Sequence, residues 1–235
     1  MNISKSSTML SAAFLLGIIP TLQAAELEVT VTNLTQGIYF TPIIISAHTT
    51  DTHIFESGEM ASTELQALAE GGDISGVAGM LSGSSADMVE NPAAGLLAPG
   101  MSTIAMLSNS AGNDYLSLAA MLLPTNDGFV GLDSWEIPIE AGTYTFTLNA
   151  YDAGTEANDE IVNGGGALGA PGIPAAPGVG SGTGGTGVTT TEANSVVHIH
   201  RGNLGDDDMN GGKSDLNNTV HRWLNPVAQV TVTVK

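Results

Sequence analysis

The alternation of apolar and polar residues along the chain predicts mostly β-strands. It runs over Glu26–Asn33 and, most regularly, over residues 142–151. Further apolar stretches typical of strands cover residues 40–49, 101–109, 115–124, 195–201 and 227–235. Seven strands with turn residues between them predict an all-β protein, an antiparallel β-sandwich.

One segment has the period of a helix. Leu65, Leu68 and Ala69 recur at helical spacing, and Ser62 precedes them as a candidate N-cap. Glycines at positions 71–72 end the pattern. We therefore predict one short helix within the β-fold.

Two long segments show no period. Residues 74–99 are rich in Gly, Ser and Ala and have no clear pattern. Residues 163–191 form a low-complexity run of Gly, Pro, Ala and Ser. Because strand-like sequence lies on both sides, we expect residues 163–191 to be a long flexible loop inserted in one domain.

Residues 1–25 have the features of a secretory signal peptide. Lys5 supplies a positive start, an apolar stretch covers residues 9–19, and small residues close the segment. Its removal would leave one domain of residues 26–235. No second long apolar run follows, so we expect a secreted or periplasmic chain without a transmembrane segment.

Charge narrows the classes of function. The 235 residues include 24 Asp and Glu against 5 Lys and Arg, a net charge of −19. No Lys or Arg lies between Lys5 and Arg201, so the basic surface that nucleic-acid binding needs is absent. So acidic a chain repels itself when folded, and bound cations would relieve that repulsion. An adaptation to salty surroundings would explain the same charge without any specific site.

The chain contains no cysteine. Export would permit disulfides, so the stability of this protein must come from its core or from bound metal. Eukaryotic extracellular modules of this size more often carry disulfides. The composition therefore favours a bacterial exported protein.

Two short acidic motifs follow predicted strands. In "LPTNDGFVGLD", Asp127 comes after the strand that ends near Leu123. In "YDAGTE", Asp152 and Glu156 come after the strand that ends near Ala150. If these two strands are neighbours running the same way, the three carboxylates meet at one end of the sandwich. Ca²⁺ prefers such oxygen ligands, whereas the alternative is a set of solvated turn carboxylates.

These motifs resemble those of the spondin domain. Two longer stretches resemble the same domain: "VTNLTQGIYFTPIIISAHTTDTHIFESGEMASTELQALAEGGD" and "SDLNNTVHRWLNPVAQVTVTV". The resemblance covers roughly residues 26–235, and P-x-x-D-x-x-V-G and D-A-G-T-[DE] are its most specific parts. It implies a β-sandwich similar to C2 domains and a calcium ion held by Asp127, Asp152 and Glu156. Glu156 stands where the animal pattern has Asp, and the disulfides and thrombospondin-type repeats of the animal proteins are absent. The resemblance also implies a non-catalytic role in adhesion or extracellular interaction, with an extracellular or cell-surface partner.

A further acidic stretch, "GDDDMNGG", begins like an EF-hand loop. Asp206, Asp208 and Asn210 alternate ahead of Gly211, as that pattern requires. Position twelve is Asn217, however, where an EF-hand needs a bidentate Glu. We interpret the stretch as an acidic turn before the last strand, with a weak second cation site as the alternative.

Three histidines raise an alternative function. His198 and His200 fall on one face of a predicted strand, and His221 could complete a three-histidine zinc site. A secreted zinc-dependent hydrolase would use such a site. The pattern is more typical of ordinary structural histidines on a strand near a turn, and the chain has neither a cysteine nor a G-x-S-x-G motif for a nucleophile.

Overall fold

A computed structural model describes residues 25–191, 194–208 and 210–235. The predicted signal peptide therefore lies outside the described residues, apart from Ala25. The strands are β1 (Glu26–Asn33), β2 (Tyr39–Phe40), β3 (Ile44–His48), β4 (Asp87–Glu90), β5 (Ser102–Ser108), β6 (Tyr115–Leu123), β7 (Gly128–Glu136), β8 (Gly142–Leu148), β9 (Ala150–Asp152), β10 (His198–Ile199) and β11 (Ala228–Val234). The helices are α1 (Thr63–Gly71) and α2 (Ser75–Gly83).

The strands form two sheets. One has four strands in the order β5-β1-β11-β8. The other has seven, in the order β10-β9-β7-β6-β3-β4, with β2 paired to β6. Every pairing between these strands is antiparallel. The prediction of an all-β antiparallel sandwich is confirmed.

The main core lies between the two sheets. On β1 every second residue is buried, among them Val29 and Val31, and Val29 is paired in register with Val232 of β11. From the other sheet, Ile45 and Leu118 pack into the same cluster. This alternation arises because one face of the four-stranded sheet covers the core and the other faces solvent.

The two helices pack on the outer face of the seven-stranded sheet. Leu68 of α1 and Leu81 of α2 share a second apolar cluster with Ile44, Ala119 and Phe129 of the sheet. The residues that the sequence predicted for the apolar stripe of α1 are all buried. None of the helices in the described part of the chain is long and apolar enough to cross a membrane.

Helix α1 begins and ends as predicted. The Ser62 Oγ accepts a hydrogen bond from the Leu65 N–H at 3.1 Å, which satisfies one of the unpaired amides of the first turn. At the other end Gly72 takes a left-handed conformation, with φ of 70°.

Several elements differ from the prediction. Helix α2 and strand β4 lie in the segment 74–99, where the sequence showed no pattern, so the described chain has two helices instead of one. The predicted strand 40–49 is divided at Pro42, which has no amide hydrogen to donate to a neighbouring strand. Strand β7 was not predicted as a strand, and β10 is much shorter than the predicted strand 195–201.

The glycine-rich segment 163–191 contains no helix or strand in the described structure, but parts of it pack on the sandwich. Ile173 is fully buried against Val162 and Leu216. Its amide donates to the carbonyl of Ile161 at 2.8 Å. The flexibility of this segment remains a prediction, but these contacts show that Ile173 packs on the rest of the domain.

Candidate metal centre

The topology of the seven-stranded sheet brings the two acidic motifs together. Strands β6 and β9 flank β7 and are each antiparallel to it, so they run in the same direction. Direct adjacency of the two strands was the condition taken from the sequence. This condition is not met, because β7 lies between β6 and β9. The register of β7 and β9 pairs Gly128 with Asp152, which places Asp127 beside Asp152.

Asp127 is fully buried at the start of β7. Its Oδ2 accepts hydrogen bonds from the amides of Thr155 and Glu156, at 2.8 and 3.1 Å. Its Oδ1 is buried and has no hydrogen-bond partner. Burial, followed by the nearby charge of Asp152, raises the pKa of the Asp127 carboxyl to about 7.

Asp152 closes β9 and is almost fully buried. Its Oδ1 accepts from the Gly154 amide at 2.9 Å, and its Oδ2 accepts from the Asn158 side-chain amide at 2.7 Å. Gly154 has a φ of +71°, and a Cβ at this position would lie 2.8 Å from the Val196 backbone nitrogen. The glycine of the D-A-G-T-[DE] motif is therefore required by both its conformation and its close contact.

Glu156 completes the predicted set. Its Oε2 accepts from the Gly172 amide at 3.0 Å and from the Asn126 side-chain amide at 3.3 Å. Its Oε1 is buried without a hydrogen-bond partner. Burial raises the pKa of the Glu156 carboxyl to about 7, although the Gly172 hydrogen bond favours the ionised form.

The donor chemistry of this cluster fits a hard cation. It offers carboxylate oxygens, and two of them, Asp127 Oδ1 and Glu156 Oε1, are buried without partners. Buried polar atoms are nearly always paired, so an unpaired one requires an explanation such as an ion. Across residues 25–191, 194–208 and 210–235, no group of three or more His, Cys, Asp or Glu side chains is placed so that it could hold a metal ion. Asp127 lies close enough to Asp152 for the charge of Asp152 to act on it, but the three carboxylates do not converge on one point in this structure.

Several residues of this region were not predicted from the sequence. Asn126 donates to Asp159 Oδ1 at 2.9 Å as well as to Glu156, and its own Oδ1 accepts from the Glu160 amide at 3.2 Å. Asn126 precedes Asp127 within the first motif, so its place in the motif was an available signal. Gly172 lies in low-complexity sequence and offered no such signal.

The three histidines of the zinc hypothesis are not arranged as a metal-holding group. His200 is buried with its ring 5.0 Å from that of Trp223, and burial lowers its pKa to about 3. The His221 Nδ1 accepts from the Asn217 amide at 3.0 Å. His198 lies near Asp152 instead, with its Nε2 3.8 Å from Oδ2. The alternative zinc site of His198, His200 and His221 is therefore not formed, because burial and local hydrogen bonds direct these rings to separate partners.

The acidic stretch near the end of the chain is a turn held by its own carboxylates. Asp206 Oδ2 accepts from the amides of Lys213 and Ser214 at 2.7 and 2.8 Å, and Oδ1 accepts from the Asp208 amide at 3.0 Å. These backbone hydrogen bonds lower the pKa of Asp206. Since both oxygens stabilise the turn, the observed contacts agree with the acidic-turn interpretation. A second cation site between Asp206 and Asn217 remains an untested alternative.

The fold and this cluster define a β-sandwich with acidic loops at one end of its larger sheet. The family model described as Spondin_N matches residues 32–160, which is more than half of the chain. The chain belongs to this family. Spondin N-terminal domains are typically extracellular, and theirs is not a known enzyme family. No curated protein matches the chain.

The match confirms the family that the motifs indicated, over a shorter range than the motifs suggested. It includes both acidic motifs and ends at residue 160. The glycine-rich segment, β10 and β11 follow the matched range. The contact between Gly172 and Glu156 therefore joins the matched part of the chain to the part outside it.

Proposed function

We propose that the chain is a secreted, non-catalytic module for adhesion or extracellular interaction, stabilised by Ca²⁺ at Asp127, Asp152 and Glu156. The observation that carries the proposal is the pair of buried, unpartnered oxygens, Asp127 Oδ1 and Glu156 Oε1, on adjoining loops. An ion between these loops would give both oxygens a partner.

The ligand types favour calcium over other common metals. Ca²⁺ takes six to eight oxygen ligands in a flexible geometry, whereas Zn²⁺ prefers histidine and cysteine. The cluster offers carboxylates, and backbone carbonyls and water would complete the shell. Oδ2 of Asp127 and Oε2 of Glu156 accept hydrogen bonds, which orient each carboxylate and leave the other oxygen for the ion.

Calcium binding should raise the thermal stability of the wild-type protein. At 100 times the dissociation constant, a ligand that binds only the folded state adds about 2.7 kcal/mol. For a domain of this size that corresponds to a melting temperature roughly 5–11 °C higher. Calorimetric titration should give one calcium per chain, and Asp127→Asn should lose both the heat and the thermal shift.

Glu140→Gln is the control variant. It removes one exposed carboxylate from the loop between β7 and β8, so it separates loss of a ligand from loss of net charge. We expect it to bind calcium as the wild type does. Equal melting temperatures in chelator and in millimolar calcium for the wild type would overturn the proposal.

Secretion is supported by the signal-peptide features of residues 1–25 and by the typical extracellular location of the family. Expression of the full chain with export should yield a mature protein that begins at Ala25 or Glu26. Intact-mass measurement of the exported protein checks this. Recovery of a chain that still carries residues 1–24 from the exported fraction would contradict cleavage.

A further inference from the structure

A cavity of about 340 Å³ lies beside the acidic turn of residues 205–212, and none of the three proposed calcium ligands lines it. Its walls come from residues 36–39, the glycine-rich segment and residues 206–221. The volume falls in the range of small-molecule sites, which begins at roughly 300 Å³. We propose that this cavity binds a neutral sugar unit of a glycan without any metal ion. The inference goes beyond the proposed function and does not depend on the calcium site.

Hydrogen bonds of the fold hold the walls of this cavity in place. The Oδ1 of Asp215 accepts from the amides of Thr183 and Gly185 at 2.8 and 2.7 Å, and both Asp215 and Thr183 line the cavity. On the next wall, the Asp206 amide donates to the Leu216 carbonyl at 2.9 Å. These contacts join the glycine-rich segment and the acidic turn to the same stretch of chain.

His221 supplies a hydrogen-bond donor to the cavity. It is 5% exposed and lines the cavity, and its Nδ1 accepts from the Asn217 amide at 3.0 Å. Burial lowers its pKa, so the ring is neutral and carries its proton on Nε2. This Nε2 has no hydrogen-bond partner among the described residues, and unlike the Nε2 of His200 it is not sealed from solvent. An N–H in this position needs an acceptor, which a ligand in the cavity provides.

Asp208 supplies the complementary acceptor. It is exposed and lines the cavity, and its Oδ1 accepts from the Asn210 amide at 2.9 Å, which leaves Oδ2 for a ligand. Asp206 and Asp215 also line the cavity, but backbone amides already donate to both of their carboxylates. A hydroxyl group both donates and accepts. Neighbouring hydroxyls of one sugar therefore match the Asp208 carboxylate and the His221 Nε2–H together.

The rest of the lining includes apolar surface for the body of a ring. Tyr39 is half-buried and contributes an aromatic ring, and aliphatic surface comes from Pro99, Val179, Leu216 and Val220. Binding sites of this size typically combine apolar walls with a few placed polar groups. A sugar ring has the same division, because its C–H faces are apolar and its hydroxyls lie at the edge.

The charge of the cavity separates a neutral ligand from charged ones. Three aspartates line it, no Lys or Arg is among the described residues of its walls, and the chain carries a net charge of −19. An anionic ligand is therefore repelled. A simple ammonium ion is attracted, but it offers no acceptor to the Nε2–H of His221. A neutral sugar satisfies both the carboxylate and the imidazole.

The test is saturation-transfer NMR on the exported chain in chelator, with the methyl glycosides of glucose, galactose and mannose as probes. Cyclohexanol, a ring with a single hydroxyl, is the control ligand, and butylammonium represents the cationic class. We expect saturable binding of at least one glycoside and none of cyclohexanol. Addition of calcium should leave the glycoside affinity unchanged.

Two variants remove the polar groups one at a time. Asp208→Asn should weaken glycoside binding about fivefold, because a hydrogen bond to a charged group becomes a neutral one, while its Oδ1 still accepts from Asn210. His221→Phe keeps a ring in place but removes the Nε2–H, and it should weaken binding about tenfold. Glu140→Gln, at an exposed position outside the cavity, should bind as the wild type does.

No binding of any glycoside, tighter binding of butylammonium than of every glycoside, or unchanged binding by Asp208→Asn would each overturn the inference. The melting temperature of each variant is measured first, since His221→Phe deprives the Asn217 amide of its acceptor. If that variant does not fold, Asp208→Asn decides the question alone. Calcium is titrated separately: glycoside binding without calcium binding overturns only the calcium proposal, and calcium binding without glycoside binding overturns only the sugar site.

Discussion

In chelator, the two buried carboxyls should make the protein less stable as the pH rises from about 4 to about 7. The pKa values of Asp127 and Glu156 are raised to about 7 in the folded state, while unfolded Asp and Glu ionise near 4. Between these values the folded chain keeps protons that the unfolded chain has lost. The free energy of unfolding therefore falls with rising pH across this window. For Asp127 alone, three pKa units correspond to a destabilisation on the order of 4 kcal/mol.

A comparison of variants isolates this effect from other groups that titrate. Burial lowers the pKa of His200 to about 3, so its contribution has the opposite sign and is lost as the pH falls below about 6.5. Asp127→Asn leaves His200 in place, and the difference between the two pH profiles is then due to the site. We expect the variant to show a shallower decline with rising pH than the wild type.

The measurement is urea unfolding at several pH values between 5 and 8, with chelator and again with saturating calcium. Calcium holds the carboxylates ionised and should reduce the decline in the wild type. Glu140→Gln, at an exposed position, serves as the control for a general change in charge and should keep the wild-type profile. If the free energy of unfolding fell as steeply with pH in Asp127→Asn as in the wild type, the Asp127 and Glu156 carboxyls would not be the cause of the decline.

The parts of the fold that the sequence predicted are those where local pattern and tertiary packing agree. Strand β1 alternates because one face lies on the core, and α1 carries its own cap and stop signals. Strand β7 has no such signal: its first four residues are all buried, so apolar and small side chains follow one another without alternation. Helix α2 contains three glycines and is held by the burial of Val77 and Leu81.

The candidate site was predictable in its residues but not in its geometry. The motifs named Asp127, Asp152 and Glu156, but only the register of β7 against β9 shows how Asp127 reaches Asp152. The contact from Gly172 depends on an irregular loop in which this glycine has a φ of +105°. Nothing in a low-complexity sequence specifies such a backbone conformation, which is set by the packing around it.

Phe129→Ala should reduce the stability of the protein by about 3–5 kcal/mol, the usual range for a buried phenylalanine. Phe129 is fully buried directly after the Asp127–Gly128 turn. Its ring lies 5.0 Å from that of Phe55 and 5.6 Å from that of Tyr151, and Tyr151 is its register partner on β9. These contacts hold β7 against β9 next to the Gly128–Asp152 pair. Loss of the ring should therefore lower calcium affinity as well as the melting temperature.

Phe40→Ala separates the loss of stability from the loss of calcium affinity. Phe40 is also fully buried, but it packs in the core between the sheets and has no ring contact with the aromatic group around Phe129. Both variants should lose a similar amount of stability in chemical unfolding, whereas calorimetry should show weakened calcium binding only for Phe129→Ala. Phe129→Leu, which keeps an apolar side chain, replaces the alanine variant if that variant does not fold. Equal calcium affinity in the Phe129 and Phe40 variants would mean that the aromatic contacts stabilise the sandwich without positioning Asp127 and Asp152.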